Sequence, residues 1–316
     1  MPQITTLSLN PTIDLMTETD LVRPTHKIRT SNETYEPGGG GVNVARVIAE
    51  LGGTVTAICL VGGFAGQMLN ELLAAMTLPR VMVPIAGSTR VSFTVFERKT
   101  GHEYRFIPNG PKLAMSEVAA CLDAVRAAEF DYFVASGSVP LGAPSDVLAQ
   151  VAKIVADKGA KFILDSSGVG LSVTLQQGPV YLVKPSIGEL EALVGRRLDH
   201  ASAREAAAEL VTRGQAEIVA VTMGAAGALV VTRDGAMRVH PPKVEARSAV
   251  GAGDAFVAAM TVALSEGRSL EDAVTLATAA GAATTLTPVA KLCDREDVAR
   301  LHESMMAEHA LRHMKK

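Results

Sequence analysis

The run Ser248-Ala249-Val250-Gly251-Ala252-Gly253-Asp254-Ala255-Phe256 sets a carboxylate in the first turn of an apolar helix, behind small residues that leave backbone N–H groups uncovered. Free amides and the positive end of a helix then converge on one point. Such an anion hole suits the charge on a transferring phosphoryl group. Asp254 beside it is placed to take the proton of an acceptor hydroxyl. An acid in a first helical turn also arises as a plain dipole partner. That accounts for Asp254, but not for Gly251, Ala252 and Gly253 before it.

A second run, Pro37-Gly38-Gly39-Gly40-Gly41-Val42-Asn43-Val44-Ala45-Arg46, sends consecutive glycines into an amphipathic helix. Glycine lets backbone N–H groups approach a ligand closely, and a helix start attracts anions and polar oxygens; a flexible loop is the alternative. The spacing is not GxxxxGK[ST], so it is no P-loop, and it fits GxGxxG poorly. Asp165 closes one strand pattern, and Lys184-Pro185-Ser186-Ile187-Gly188-Glu189 follows the next. Acids at strand ends are candidates for Mg²⁺ and its waters, although Glu189 alone reads as a solvated helix acid. Thr222-Met223-Gly224-Ala225-Ala226-Gly227 reads as a tight turn between two strands.

These groups need a frame. Strand patterns at Ile4–Leu9, Val55–Val61, Tyr132–Ala135, Lys161–Leu164, Val180–Val183, Ile218–Thr222 and Leu229–Thr232 alternate with helical patterns. The helices fall at Val42–Leu51, Gly66–Met76, Ser145–Lys158, Ala201–Arg213, Gly253–Ser265, Leu270–Leu286 and Arg295–Leu311. Such alternation predicts a mainly parallel sheet covered on both faces, with ligands beyond the carboxyl ends of the strands. Two stretches break the rhythm. Asp14–Tyr35 is polar and Thr-rich, and Arg90–Ile107 alternates polar and apolar residues around a turn at Thr100-Gly101. Both read as strands of a small β lid, built from about 12–36 and 88–108 within a single domain spanning 1–316.

With 48% hydrophobic and 20% charged residues and a net charge of −3, the composition is that of an ordinary globular protein. No basic stripe points to nucleic acid, and no apolar run points to a membrane. Cys59, Cys121 and Cys293 are far apart and read as free thiols of a cytoplasmic protein. The histidines form no zinc pattern.

Taken together and in order, GGGGVNVAR with LGG, SGSVPLG, DSSG, KPxxxEL, TMGAAGAL and AVGAGDAF resemble the PfkB/ribokinase family of carbohydrate kinases across essentially the whole chain. Within it, Asn10-Pro11-Thr12-Ile13-Asp14, Glu36–Gly41, Glu103-Tyr104-Arg105-Phe106 and Lys291-Leu292-Cys293 are most similar to the bacterial minor-type 6-phosphofructokinases. The resemblance implies a ribokinase-like three-layer α/β/α sandwich with a small β-sheet lid. It implies ATP with Mg²⁺ phosphorylating fructose 6-phosphate, with tagatose 6-phosphate or fructose 1-phosphate as alternative acceptors. A noncatalytic sugar-phosphate or nucleotide-binding regulator is the alternative from another class.

The resemblance also assigns roles. Asp14, Gly39, Gly40, Gly41, Asn43 and Ser138 would hold sugar hydroxyls, and Lys27, Arg29, Arg90 and Arg105 would face a sugar phosphate. Lys184, Ser186, Thr222, Gly224 and Gly227 would line the nucleotide site, with Thr278 and Ala282 near the adenine and Glu189 reaching Mg²⁺ through water. Asp254, with Gly251, Ala252 and Gly253, would carry the chemistry. Ser248, Val250, Thr284, Thr287, Val289 and Lys291 would lie near a monovalent-cation loop for K⁺. The chain departs from the family at Ser186, where Asn is usual, at Ala249, where a hydroxyl is missing, and around Val289. A half-exposed lid face also predicts a homodimer formed lid to lid.

Overall fold

Residues 2–287 and 291–313 are described in the computed structural model of this chain. β-Branched, apolar runs form its strands, in chain order β1 (Gln3–Ser8), β2 (Thr12–Thr19), β3 (Ser31–Gly38), β4 (Thr54–Val61), β5 (Arg80–Pro84), β6 (Arg90–Glu97), β7 (His102–Phe106), β8 (Tyr132–Ser136), β9 (Lys161–Asp165), β10 (Leu182–Val183), β11 (Ile218–Thr222), β12 (Ala228–Thr232) and β13 (Gly235–Val239). The main sheet has the order β13-β12-β11-β10-β9-β8-β1-β4-β5. It is parallel from β5 through β11, and antiparallel at β11–β12 and β12–β13.

Each face of this sheet carries its own apolar layer. Ile4, Val44, Ile48, Leu69, Val257 and Ala280 belong to one, and Leu7, Leu122, Val151, Leu171, Leu190 and Leu210 to the other. The helices Gly40–Glu50, Gly63–Ala75, Ala252–Ser265, Leu270–Leu286 and Arg295–His313 cover the first face. Met115–Ala127, Val147–Asp157, Gly168–Gln177, Ile187–Val194 and His200–Thr212 cover the second. The chain winds from β1 toward β5 in one direction and from β8 toward β13 in the other. The order therefore reverses between β1 and β8, and a crevice opens beyond their carboxyl ends.

The remaining strands form a separate four-stranded sheet, β3-β2-β6-β7, in which β2 and β6 run parallel. Its register puts Asp14 opposite Glu36 and Ser92, and Thr94 opposite Arg105. Polar groups thus share one face. The alternate residues Leu15, Tyr35, Val91, Phe93 and Phe106 share the other, by the period of two.

The sequence pattern leaves out several elements that the fold contains: the helices Met115–Ala127, Gly168–Gln177 and Ile187–Val194 and the strands β5 and β13. Helix Gly168–Gln177 buries only Gly170, Leu171, Thr174 and Leu175, so its apolar stripe is thin. Helix Ile187–Val194 is one of the shortest, and a reciprocal cap between Ser186 and Glu189 starts it.

The glycine run is close packing rather than slack. A Cβ on Gly40 would fall 2.3 Å from Ser136 Oγ and 2.8 Å from the Gly137 nitrogen, and one on Gly41 would fall 2.3 Å from the Leu7 carbonyl oxygen. Gly41→Ala is therefore expected to destabilise the protein by roughly 1–3 kcal/mol through overpacking against backbone. Gly188→Ala, where a Cβ meets nothing within 4 Å, is expected to be neutral or to stabilise by up to about 1 kcal/mol. Urea midpoints of the two variants check this pair; equal midpoints would refute the packing role.

Candidate active site

The site is assembled where strand ends of the main sheet meet two helix starts. Helix Ala252–Ser265 begins at Gly251, which adopts a left-handed φ of 79° and provides no side-chain cap. Its first intrahelical bond runs from the Ala255 nitrogen to the Gly251 carbonyl. The amides of Gly253 and Asp254 therefore have no acceptor within the helix. Asp254 points back toward helix Gly40–Glu50, where Asn43 Nδ2 donates to its Oδ2 at 2.8 Å. Burial, reinforced by the charge of Asp165, pushes the Asp254 carboxyl up to about 7, against the Asn43 hydrogen bond and the Lys184 charge. A carboxylate poised there takes up a proton readily near neutral pH.

Lys184, at the end of β10, is buried and lies 3.1 Å from Asp165, at the end of β9. Ser136 Oγ donates to the other oxygen of Asp165 at 3.1 Å. Burial works against the charge on Lys184, yet Asp165, Glu189 and Asp254 around it carry its pKa above the ordinary value. Lys184 thus stays an ammonium. A Cβ on Gly253 would lie 3.6 Å from its Nζ, an ordinary contact distance, which sets the ammonium beside the helix start.

Around Lys184, Ser186 caps its helix by accepting from the Glu189 nitrogen, while Glu189 Oε2 accepts from the Ser186 nitrogen at 2.7 Å. The sequence suggested a solvated acid at Glu189; the cap engages one of its oxygens and leaves the other. Ser186 forms a parallel bridge to Thr222, which ends β11. The turn Gly224–Ala226 follows, with Gly224 and Gly227 at φ of 55° and 92°. A Cβ on Gly224 would meet nothing within 4 Å, whereas one on Gly227 would strike the Val239 carbonyl. Thr278 and Ala282 are buried on helix Leu270–Leu286, either side of Gly281, where a Cβ would come 3.2 Å from the Ala252 carbonyl.

Across the crevice lies the second sheet. Asp14 accepts from Ser92 Oγ. Burial raises its pKa, while that bond and the charges of Arg105, Arg46 and Arg90 pull the other way. Gly38 leaves space for it, since a Cβ there would fall 2.1 Å from Asp14 Oδ2. Arg90 Nη1 donates to the Pro108 carbonyl at 3.0 Å and Nη2 to the Asn10 carbonyl at 2.9 Å. Ser138 accepts from Asn10 Nδ2 at 3.2 Å.

Lys27 and Arg29 do not join this group within one chain. Both are exposed in the connection beyond the Thr19 end of β2, whereas the site lies at the Thr12 end. Seven residues of strand separate the two ends by roughly 20 Å. Arg46 was not singled out from the sequence. It is nearly buried, donating to the Pro37 carbonyl and pairing with Glu36 at 2.8 Å. Its place three residues after Asn43 on one helix was the available signal.

The segment 247–250 lies against the end of helix Leu270–Leu286, with the Arg247 and Ser248 nitrogens bonded to the Thr285 carbonyl. The Val250 nitrogen bonds to Ser248 Oγ. The Thr284 hydroxyl is turned inward to the Ala280 carbonyl, and the Thr287 hydroxyl bonds the carbonyls of Thr284 and Lys291. Any cation here would thus be met by backbone carbonyls. Val289 lies outside the described residues.

A half-buried acid and a buried ammonium at an uncapped helix start suit phosphoryl transfer, and residues 7–296 match the model of the pfkB family carbohydrate kinases. The chain belongs to that family. It is 47% identical over 305 residues to the ATP-dependent 6-phosphofructokinase isozyme 2 of Mycobacterium tuberculosis, covering 96% of this chain and 89% of that one. Crystal structures of Escherichia coli phosphofructokinase-2, 40% identical, superpose over 97% of this chain and 100% of theirs. They include a complex with potassium at a TM-score of 0.93, a complex with fructose 6-phosphate at 0.91 and a tetrameric inhibited form at 0.92. Arabidopsis thaliana ribokinase, 21% identical, covers 96% of this chain and 99% of its own at a TM-score of 0.76, and shares the fold. The protein is an ATP-dependent carbohydrate kinase with the ribokinase-like fold.

Proposed function

We propose that this kinase transfers the γ-phosphoryl group of ATP to the 1-hydroxyl of fructose 6-phosphate. The observation that carries the reading is Asp254, half-buried, bonded to Asn43 and set at uncovered amides, with the Asp14, Arg90 and Arg105 group across the crevice. Relatives named 6-phosphofructokinase support the choice of sugar. Asp254 accepts the proton of the hydroxyl as its oxygen bonds to phosphorus. The bond from phosphorus to the bridging oxygen breaks, and ADP leaves with that electron pair. The amides of Gly253 and Asp254 and the charge of Lys184 meet the charge spread over the phosphoryl oxygens.

Asn43, Asp14 and Ser138 hold sugar hydroxyls, and Arg90 and Arg105 the 6-phosphate. Thr222, Gly224 and Gly227 line the nucleotide, with Thr278 and Ala282 toward the adenine. Mg²⁺ supplies charge neutralisation to ATP. The free Glu189 oxygen would meet a hydrated Mg²⁺ through its waters, whereas both Asp165 oxygens are held by Lys184 and Ser136; the carbonyls of the 248–250 and 284–287 segments would meet K⁺. ADP release measured against a panel of fructose 6-phosphate, tagatose 6-phosphate, fructose 1-phosphate and fructose tests the substrate. Turnover of fructose as good as that of fructose 6-phosphate overturns the phosphosugar reading.

The second sheet is the lid of this site and, in this reading, the dimer interface of a cytoplasmic enzyme. On its outer face Tyr35, Val91 and Phe106 are 42%, 39% and 59% exposed, an apolar surface that a second copy would cover. Lys27 and Arg29 would approach a crevice only from that second copy. Light scattering is expected to give twice the 33.0 kDa chain mass at micromolar concentration. Phe106→Glu should shift the protein toward monomer by at least about tenfold in Kd, since it buries a charge in an apolar contact. An unchanged mass for the variant counts against this face.

A further inference from the structure

Four chain crossings join the two sheets, and they converge on one residue. Residues 9–11 lead out of β1, residues 38–40 return to helix Gly40–Glu50, residues 85–89 lead out again, and residues 107–114 return to helix Met115–Ala127. Asn10 lies in the first crossing and is 5% exposed. Its Nδ2 donates to the Asn109 carbonyl at 2.9 Å, in the fourth crossing, and to Ser138 Oγ at 3.2 Å, beyond β8. Its backbone carbonyl accepts from Arg90 at 2.9 Å, where the third crossing enters β6. The second crossing passes so close that a Cβ on Gly39 would lie 2.9 Å from the Pro11 Cα and 3.4 Å from the Asn10 carbonyl oxygen. Gly110, at φ of 88°, leaves the space that Asn10 fills, since a Cβ there would fall 2.2 Å from Asn10 Oδ1.

The Asn10–Ser138 bond also spans the gap between β1 and β8, where the strand order of the main sheet reverses. Two polar atoms of this knot, Asn10 Oδ1 and Arg90 Nε, are buried with no hydrogen-bond partner among the described residues. A buried polar atom without a protein partner is a place where a ligand oxygen or a water is accommodated. Arg90 keeps further N–H donors beyond the two held by carbonyls.

We propose that Asn10 is a positioning residue for the sugar-phosphate subsite: one buried residue holds Arg90 of the second sheet through its backbone carbonyl and Ser138 of the main sheet through its amide, fixing the two relative to one another. The proposal rests on the reading of Arg90 as a phosphate-binding group. Without the Asn10 amide the Asn109 carbonyl and Ser138 lose their common partner, and the 107–114 crossing that carries the Arg90 acceptor Pro108 is released. Binding through Arg90 and binding through Ser138 then fall together.

In the full-length protein, Asn10→Ala is expected to raise KM for fructose 6-phosphate about tenfold or more, with KM for ATP within about twofold. In an Arg90→Ala background the same substitution should add less than about threefold, because residues acting as one unit are not additive. Asn10→Asp keeps the size and the backbone carbonyl but cannot donate to the Asn109 carbonyl. It should give the same split, and it serves where the alanine variant fails to fold. Equal rises in both KM values, or effects of Asn10→Ala and Arg90→Ala that multiply in full, would overturn the role. Turnover of fructose as good as that of fructose 6-phosphate by the native protein defeats the phosphate reading instead. The coupling between Asn10 and Arg90, read on the sugar then used, still decides the part played by Asn10.

Discussion

Asp254→Asn is expected to lower kcat by about 10²–10⁴-fold while changing both KM values less than about threefold. The amide keeps the size of the carboxylate and can still accept from Asn43, so ground-state packing survives. What is lost is the capacity to take a proton as the acceptor oxygen attacks. The native pH profile should show the same group. With the carboxyl raised to about 7 by burial and by Asp165, activity rises as pH increases through about 7 and flattens above it. The residual activity of the variant should lack that limb. An unchanged profile in the variant would assign the limb to another group.

Stability should move the opposite way. The Asp254 carboxyl holds its proton in the folded protein up to about 7, but only to about 3.8 when unfolded. Between those values the folded state binds more protons, so its contribution to stability declines as pH rises. Above about 7 a charged, desolvated carboxylate opposes folding at full strength. Asp254→Asn should therefore melt at a higher temperature than the native protein at pH 8, and the gap should narrow at pH 5. A lower Tm for the variant at pH 8 would contradict the burial argument.

Arg90→Ala should raise KM for fructose 6-phosphate by about 10–100-fold and leave KM for ATP within about twofold. The scale follows from hydrogen bonds between a guanidinium and a phosphate, worth roughly 1.5–3 kcal/mol net. Two N–H groups of Arg90 are fixed by the Pro108 and Asn10 carbonyls, and in the proposed function its remaining donors meet the phosphate. Selectivity for fructose 6-phosphate over fructose should fall by the same factor, since fructose offers Arg90 no phosphate. Equal rises in the KM of both substrates would place Arg90 in the architecture rather than in recognition.

Local chemistry is read from neighbours in the chain. The alternation Val91–Phe96 and the turn at Thr100-Gly101 marked the β6–β7 hairpin, because strand period and turn residues act over a few positions. The small residues before Asp254 marked a helix start for the same reason. The Ser186–Glu189 cap was present in the sequence as S-x-x-E, yet helix Ile187–Val194 is short enough to pass as a loop. Helix Gly168–Gln177 starts with two glycines in three residues and shows little stripe; Gly170 packs so closely that a Cβ there would lie 2.8 Å from Val139 and 3.5 Å from Leu148, a tertiary fit that no local pattern shows.

By itself, then, the sequence determined the strand ends and the helix start that set Asp165, Lys184, Thr222 and Asp254 at the mouth of the sheet. Only the tertiary structure decided which of them touch. Asn43 and Asp254 meet across 211 positions of chain, and Asn10 and Ser138 across 128. Those contacts depend on how two apolar layers pack against one sheet, and no local period encodes that. The same packing gathers Arg46, Arg90 and Arg105 around Asp14 and leaves Lys27 and Arg29 at the far end of the second sheet. Charge type is written residue by residue, whereas its distance from a carboxylate is set by strand register and sheet length.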